Sequence, residues 1–307
     1  MSVIVVTDLR KSYGDLKAVD GISFVVEEGE IFGILGPNGA GKTTTLEIIE
    51  GLRQPNGGAV FIDGLSVWPK PGPIKKLIGI QLQSTSLFDY LTVREMASLF
   101  ASFYKLRLTQ TELDSLLGIV GLVEKGKARV RQLSGGQQQR LSIALALVND
   151  PKIVFLDEPT TGLDPQARRR MWDVVRDISN RGKTVVLTTH YMEEAEVLCG
   201  RVAVMDQGKI MKLDSPANLI KSLGAKTKIT FSCKPLLAKE KFQEVDGALD
   251  VSEVDHSYKV YTAKIQTCLL GILQKAADNG ATVENLTVSG ANLEDVFLNL
   301  TGRGLRD

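Results

Sequence analysis

Eight consecutive residues, Gly36-Pro37-Asn38-Gly39-Ala40-Gly41-Lys42-Thr43, bring glycines, one lysine and one threonine hydroxyl together in a single turn. An apolar run, Glu30–Leu35 (EIFGIL), precedes them, and a helix-like segment, Thr44–Glu50, follows. The pattern G-x-x-x-x-G-K-[ST] between a strand and a helix is that of a phosphate-holding loop. Glycines let backbone N–H groups wrap a phosphate chain without Cβ clashes, and the helix that opens near Lys42 adds the positive end of its dipole. Lys42 is placed to reach the β and γ oxygens, and Thr43 to offer its hydroxyl to Mg²⁺. The expected ligand is a nucleoside triphosphate with its metal.

Such a loop needs a carboxylate at the end of a neighbouring strand. IVFLDEP supplies one: Asp157 closes an apolar run and Glu158 follows at once. Asp157 suits the Mg²⁺ shell, and Glu158 is positioned to polarise an attacking water. His190 ends another apolar run, TVVLTTH, and in a parallel sheet it comes to lie beside the γ-phosphate. A second glycine turn, Leu133-Ser134-Gly135-Gly136-Gln137, also runs into a helix. It reads either as another anion site built from backbone N–H groups or as a helix N-cap at Ser134.

The elements that must hold these residues alternate strand-like and helix-like. Val3–Leu9 and Ile22–Val26 read as an antiparallel pair, whereas Glu30–Leu35, Lys152–Asp157 and Lys183–Thr189 are near-continuous apolar strands of a parallel sheet covered on both faces. Ligands in such sheets sit at the carboxyl ends of the strands, where the polar residues above fall. Between Phe88 and Asp150 the pattern turns helical, which predicts an inserted helical subdomain at about 84–150. After about Leu219, TKITFSCK, YKVYTA and TVENLTVS read as strands, with a helix over Thr267–Ala281. That is a small α+β domain over 221–307, distinct from 1–220.

Composition narrows the function class. Among 307 residues, 37 Lys and Arg balance 36 Asp and Glu, a net charge of +1 that argues against a nucleic-acid partner. The one dense basic run, Arg168-Arg169-Arg170, reads as a solvated helix face. Cys199, Cys233 and Cys268 lie far apart, without metal-ligand spacing, which fits buried thiols in a reducing compartment. No apolar run approaches the ~18–20 residues of a membrane helix and no signal segment opens the chain. The expected location is cytoplasmic, so work at a membrane requires another subunit to cross it.

The glycine loop, LSGGQ, the strand ending in Asp157-Glu158, GLDP (Gly162–Pro165) and His190 stand in the order and spacing of ABC ATPases, which the first 220 residues resemble. The resemblance implies a P-loop NTPase core with an antiparallel β subdomain and an inserted helical subdomain, plus the C-terminal α+β domain. It also implies ATP as the nucleotide, with Gly36–Thr43 and Thr44 binding it and Tyr13 stacking on adenine. Gln83 would link Mg²⁺ and water to the helical subdomain, joining Glu158 and His190 as catalytic and Thr43 and Asp157 as metal-binding residues. In that family two cassettes sandwich two ATP molecules, the LSGGQ of one closing on the phosphate loop of the other, while Asp164 senses the opposite site. An ATP-dependent homodimer, or pairing with a second cassette, follows.

The tail, SGANLEDVFLNLTGRG (Ser289–Gly304), resembles the ending of ABC-2 type exporter ATPases. Its physical content is an amphipathic helix with Leu293, Val296, Phe297 and Leu300 on its core face. VEKGKARVRQLSGGQ lacks the element that marks exporters with fused membrane and ATPase parts, which implies a separate polytopic permease. The expected role is ATPase subunit of an exporter, peripheral at the cytoplasmic membrane face. An importer ATPase and a soluble ABC protein are the alternatives.

Overall fold

A computed structural model describes residues 1–81, 87–224, 227–254 and 256–301. Two compact units divide the chain at Pro216/Ala217.

In the first unit, β1 (Ser2–Tyr13) and β2 (Leu16–Glu27) pair antiparallel. Alternation turns Ile4 and Val6 on β1, and Ile22, Phe24 and Val26 on β2, into the core. β3 (Ile31–Leu35) feeds the glycine loop, which opens α1 (Lys42–Ile49). β4 (Gly57–Ile62) and β5 (Leu65–Ser66) complete the antiparallel sheet in the order β2-β1-β4-β5. β6 (Ile78–Gln81) returns to the core sheet. The helical insert then holds α2 (Val93–Phe103), α3 (Gln110–Ile119) and α4 (Gly135–Ala146). Each starts at a capping box, Thr92 with Glu95, Thr109 with Glu112 and Ser134 with Gln137, so orphan N–H groups are satisfied at each start.

β7 (Ile153–Asp157), α5 (Pro165–Asn180), β8 (Thr184–Thr189), α6 (Met192–Leu198), β9 (Arg201–Asp206) and β10 (Lys209–Asp214) follow. The core sheet runs β10-β9-β3-β8-β7-β6. Its strands are parallel from β9 to β6, and β7 and β8 are buried along their whole length, as their unbroken apolar runs require. The sheet departs from the purely parallel expectation at one edge, where β10 pairs antiparallel with β9. The cause is local: Gln207 (φ 47°) and Gly208 (φ 77°) form a two-residue turn with both residues left-handed, the geometry that folds a strand back on itself.

The second unit opens with α7 (Pro216–Lys221), whose first residue lies at the division. It contains β11 (Thr227–Lys234), α8 (Glu240–Gln243), β12 (Ala248–Val254), β13 (Ser257–Thr262), α9 (Ile265–Asp278), β14 (Thr282–Gly290) and α10 (Leu293–Thr301). The sheet is antiparallel, in the order β12-β13-β11-β14. Phe231, Phe242 and Tyr258 meet with ring centroids 4.8–5.1 Å apart and form its centre with Cys268 and Ile272 of α9. On α10, Leu293, Val296 and Phe297 are buried and Leu300 is half-buried. Asp295 is buried with them, its carboxylate accepting from Lys228 Nζ at 3.0 and 3.1 Å and from the Tyr261 hydroxyl at 2.8 Å. All three cysteines are buried free thiols.

Candidate nucleotide site

The loop Gly36–Gly41 leaves the end of β3 and turns tightly into α1. Gly41 has φ 101°, and a Cβ there would stand 2.1 Å from the Ala18 carbonyl; one at Gly36 would stand 2.2 Å from the Met205 carbonyl. Only glycine fits at either position. The first amides of α1 have no partner within the helix and open toward a cleft of about 330 Å³. Asn38, Gly39, Lys42, Thr43 and Thr44 line that cleft, with Tyr13 at its outer wall. The Tyr13 ring is 42% exposed, with the Lys11 ammonium and the Arg53 guanidinium each 5.5 Å from its centroid. Pro37 and Ala40 complete the loop, Ala40 N–H donating to the Pro37 carbonyl.

Three strand ends converge below the loop. Lys42 is buried; its Nζ donates to the Gly36 and Pro37 carbonyls at 2.8 and 3.1 Å and lies 3.2 Å from Glu158 Oε1. The Thr43 hydroxyl donates to Asp157 Oδ1 at 3.3 Å, and the Thr188 hydroxyl donates to the same oxygen. Burial pushes the Asp157 carboxyl up, and the two hydroxyls draw it partly back. A cation there would draw it down. The donor set fits Mg²⁺: one hydroxyl and one carboxylate, both hard oxygens, at the mouth of a phosphate cradle, for an ion that otherwise keeps waters and phosphate oxygens.

Glu158 is held at φ 48°, left-handed for a non-glycine residue, with its N–H donating to the Thr188 hydroxyl at 3.0 Å. One carboxylate oxygen faces Lys42; the other accepts from the Thr161 hydroxyl at 3.0 Å and lies 3.2 Å from His190 Nδ1. Burial pushes this carboxyl up, but the Lys42 charge, with His190 and Thr161, outweighs it and leaves the group below its ordinary value. Glu158 is therefore a carboxylate at neutral pH, able to accept a proton or orient a water.

Asp157, Glu158, Lys42, Thr43 and His190 are thus brought together. The LSGGQ turn contributes elsewhere. Leu133 is buried, and Ser134 and Gln137 are joined in the capping box of α4, with Ser134 N–H donating to Gln137 Oε1 at 2.9 Å and Gln137 N–H to Ser134 Oγ at 3.4 Å. The N-cap reading is correct as far as it goes: the hydroxyl accepts within its own chain and keeps its proton to donate outward. Gly135 is exposed and Gly136 half-buried against Leu163 and Ala167. Asp164 is the N-cap of α5 and accepts from Ala167 N–H at 2.9 Å. Gln83 lies outside the described residues; Gln81, two residues earlier, is buried in β6.

Sequence reasoning missed Thr188 and Thr161, whose hydroxyls hold the two carboxylates. It also misread Arg168: Arg169 and Arg170 are exposed, but the Arg168 guanidinium turns inward to 4.0 Å from the Tyr191 ring centroid.

A parallel sheet with a glycine phosphate loop, a metal-suited aspartate at the end of β7, beyond the intervening β8, and a helical insert define a P-loop nucleotide hydrolase. Residues 19–161 match the ABC transporter family. The chain belongs to that family, as an ATP-binding subunit of the ABC-2 type and an ATP hydrolase, the part that energises a membrane permease. It is 38% identical over 308 residues to Nod factor export ATP-binding protein I of Paraburkholderia xenovorans, covering 97% of each chain. It is 34% identical over 307 residues to the linearmycin resistance ATP-binding protein LnrL of Bacillus subtilis, covering 98% of each. Among solved structures, the ATP-binding cassette MJ0796, dimeric and bound to ADP and Pi, is 30% identical with a TM-score of 0.62, over 69% of this chain and 98% of that one. Clostridium perfringens cbiO1, part of the ABC transporter complex cbiONQ, is 27% identical with a TM-score of 0.64, over 73% and 94%.

Proposed function

We propose that this chain powers export: two copies close on two ATP molecules and drive a separate polytopic permease. Similarity to export ATP-binding proteins along the whole chain, the C-terminal unit included, carries this reading. The dimeric state of a cassette relative supports pairing. No helix among the described residues is long and apolar enough to cross a membrane, which supports a peripheral subunit at the cytoplasmic face. Exposed aromatics on the helical insert, Phe103 and Tyr104 at the end of α2 and Phe88 and Tyr90 before it, support that insert as the part that meets the permease. In this reading 1–220 is the cassette and 221–307 a small accessory domain; no nucleic acid is involved.

In the site, Tyr13 stacks on the base and the loop amides of Gly39 to Thr44 take the phosphates. The γ-phosphate competes with Glu158 for Lys42, which frees the carboxylate to orient water. His190 faces the same phosphate. Thr43 and Asp157, with Gln83, would hold Mg²⁺, which would supply charge neutralisation at the phosphates. Ser134, Gly136 and Asp164 act on the opposite copy's nucleotide. Catalysis is then positioning plus charge neutralisation.

The test is a tagged Glu158→Gln variant. It should keep ATP affinity within about twofold and lose ~10²–10⁴-fold in kcat. Retrieved with ATP from detergent-solubilised native membranes, it should carry a polytopic membrane protein in stoichiometric amount. Ribosomes, DNA or soluble proteins alone would overturn the exporter reading.

A further inference from the structure

His190 has neighbours on two sides. Glu158 Oε2 is 3.2 Å from Nδ1, and the Tyr191 ring lies against the imidazole, centroids 4.1 Å apart at 43°. Tyr191 N–H donates to the Thr189 hydroxyl at 2.9 Å, which fixes the backbone just beyond β8. The Arg168 guanidinium also lies over the Tyr191 ring, 4.0 Å from its centroid. Among the described residues Arg168 Nε is buried without a hydrogen-bond partner, and the charge of the guanidinium also acts on the buried Glu194 carboxylate. Arg168 sits in the second turn of α5, the helix capped by Asp164. One turn on, Trp172 Nε1 donates to the fully buried Glu194 Oε1 of α6 at 3.1 Å, which locks α5 to the helix that follows Tyr191. The row His190, Tyr191, Arg168 therefore joins the imidazole to the helix that starts at Asp164.

We propose that Tyr191 is a positioning residue for His190, clamped between the imidazole and Arg168, and that this clamp ties the orientation of His190 to helix α5. The inference rests on the reading of the site above. A displacement of Asp164 by an opposing copy moves the start of α5 and Arg168 with it, and the aromatic contact passes that movement to His190. Mispositioning a catalytic group by about 1 Å costs up to ~10²-fold in rate, so loss of the clamp is expected to cost roughly tenfold.

Five variants of the full chain test it, with steady-state ATPase kinetics and equilibrium ATP binding. Tyr191→Leu and Arg168→Met should each lower kcat about tenfold with KM and ATP affinity within about twofold. Tyr191→Phe, which keeps the ring, should restore the rate. The Tyr191→Leu/Arg168→Met double variant should be no slower than the slower single, because both break one clamp. The chain has two histidines, so NMR of the imidazole protons gives a separate readout: in Arg168→Met, which keeps the Tyr191 ring, the His190 resonances should shift while those of His256 stay. Unchanged kcat in Tyr191→Leu, unchanged His190 resonances in Arg168→Met, or multiplicative losses in the double variant would overturn the clamp. Should Tyr191→Leu not fold, Arg168→Met decides by the same criteria. His190→Ala separates the two levels: if it leaves kcat unchanged, the reading of the site fails, whereas a large loss there beside an unaffected Tyr191→Leu refutes the clamp alone.

Discussion

Asp295 is an acidic residue inside the small C-terminal unit, and Asp295→Asn measures what holds that unit's last helix. The substitution keeps the size of the side chain and an oxygen for the Tyr261 hydroxyl, but removes the charge that faces Lys228. The side chains of the pair are 11% and 1% exposed, so Lys228 would be left as a buried cation without its counter-ion. Breaking one partner of a buried pair costs about 3–5 kcal/mol. Lys228 is in β11 and Tyr261 in β13, so the cost falls on the sheet as well as on α10. At about 3 kcal/mol, opening of the unit becomes roughly 10²-fold more frequent. Hydrogen exchange of peptides covering Thr227–Lys234 and Ser257–Thr262 reads that directly, since sub-global opening sets the protection of such strands. Lys228→Met combined with Asp295→Asn removes the stranded charge and should recover most of the protection. Exchange unchanged in Asp295→Asn would show that the ion pair is not what holds α10 down, and a double variant as labile as the single would show that the cost is not that of a stranded charge.

Lys42→Ala deletes charge-assisted contacts to phosphate, each worth about 1.5–3 kcal/mol, and should weaken ATP binding at least tenfold in a titration monitored by calorimetry. Glu50, buried at the end of α1, has its pKa pushed up to about 8 by burial and by the Asp157 and Glu47 carboxylates. The folded chain therefore keeps a proton that the unfolded chain releases above about 4.5, and stability falls as pH rises from there toward 8. Glu50→Gln should gain on the parent between pH 5 and 8 in urea unfolding; a constant difference between the two would refute the assignment. Thr92→Ala removes the hydroxyl that caps α2 and should cost about 1 kcal/mol in the helical insert, visible as faster exchange of the first turn of that helix.

What could be read ahead of the structure divides by the range of the interaction. The phosphate loop was legible because its cause is local: glycine is demanded by close approach at Gly36 and Gly41, and a helix start follows within the same few residues. Asp157, Glu158 and His190 were legible because strand ends carry a sheet's chemistry, and a run such as IVFLDE ends where the sheet ends. Thr188 was hidden among apolar neighbours, since the oxygen it serves lies 31 residues away. The strands β4, β5, β6, β9, β10 and β12 were unassigned: they are short, and even the four buried apolar residues of β9 form too brief a run to be told from loop or helix. Asp295 reads as a polar residue of an amphipathic helix, and nothing nearby reveals that Lys228, 67 positions earlier, waits inside the fold. Arg168 differs, because its signal was present and misweighed. It stands three and four residues before Met171 and Trp172 and seven before Val175, all buried on one face of α5, so helical periodicity puts it on the inward stripe while Arg169 and Arg170 face out. A run of three like charges on a helix is never one surface, because each residue turns about 100° from the last. The member that falls on the buried stripe must find a partner there, and in this chain the partner is the aromatic ring beside the histidine.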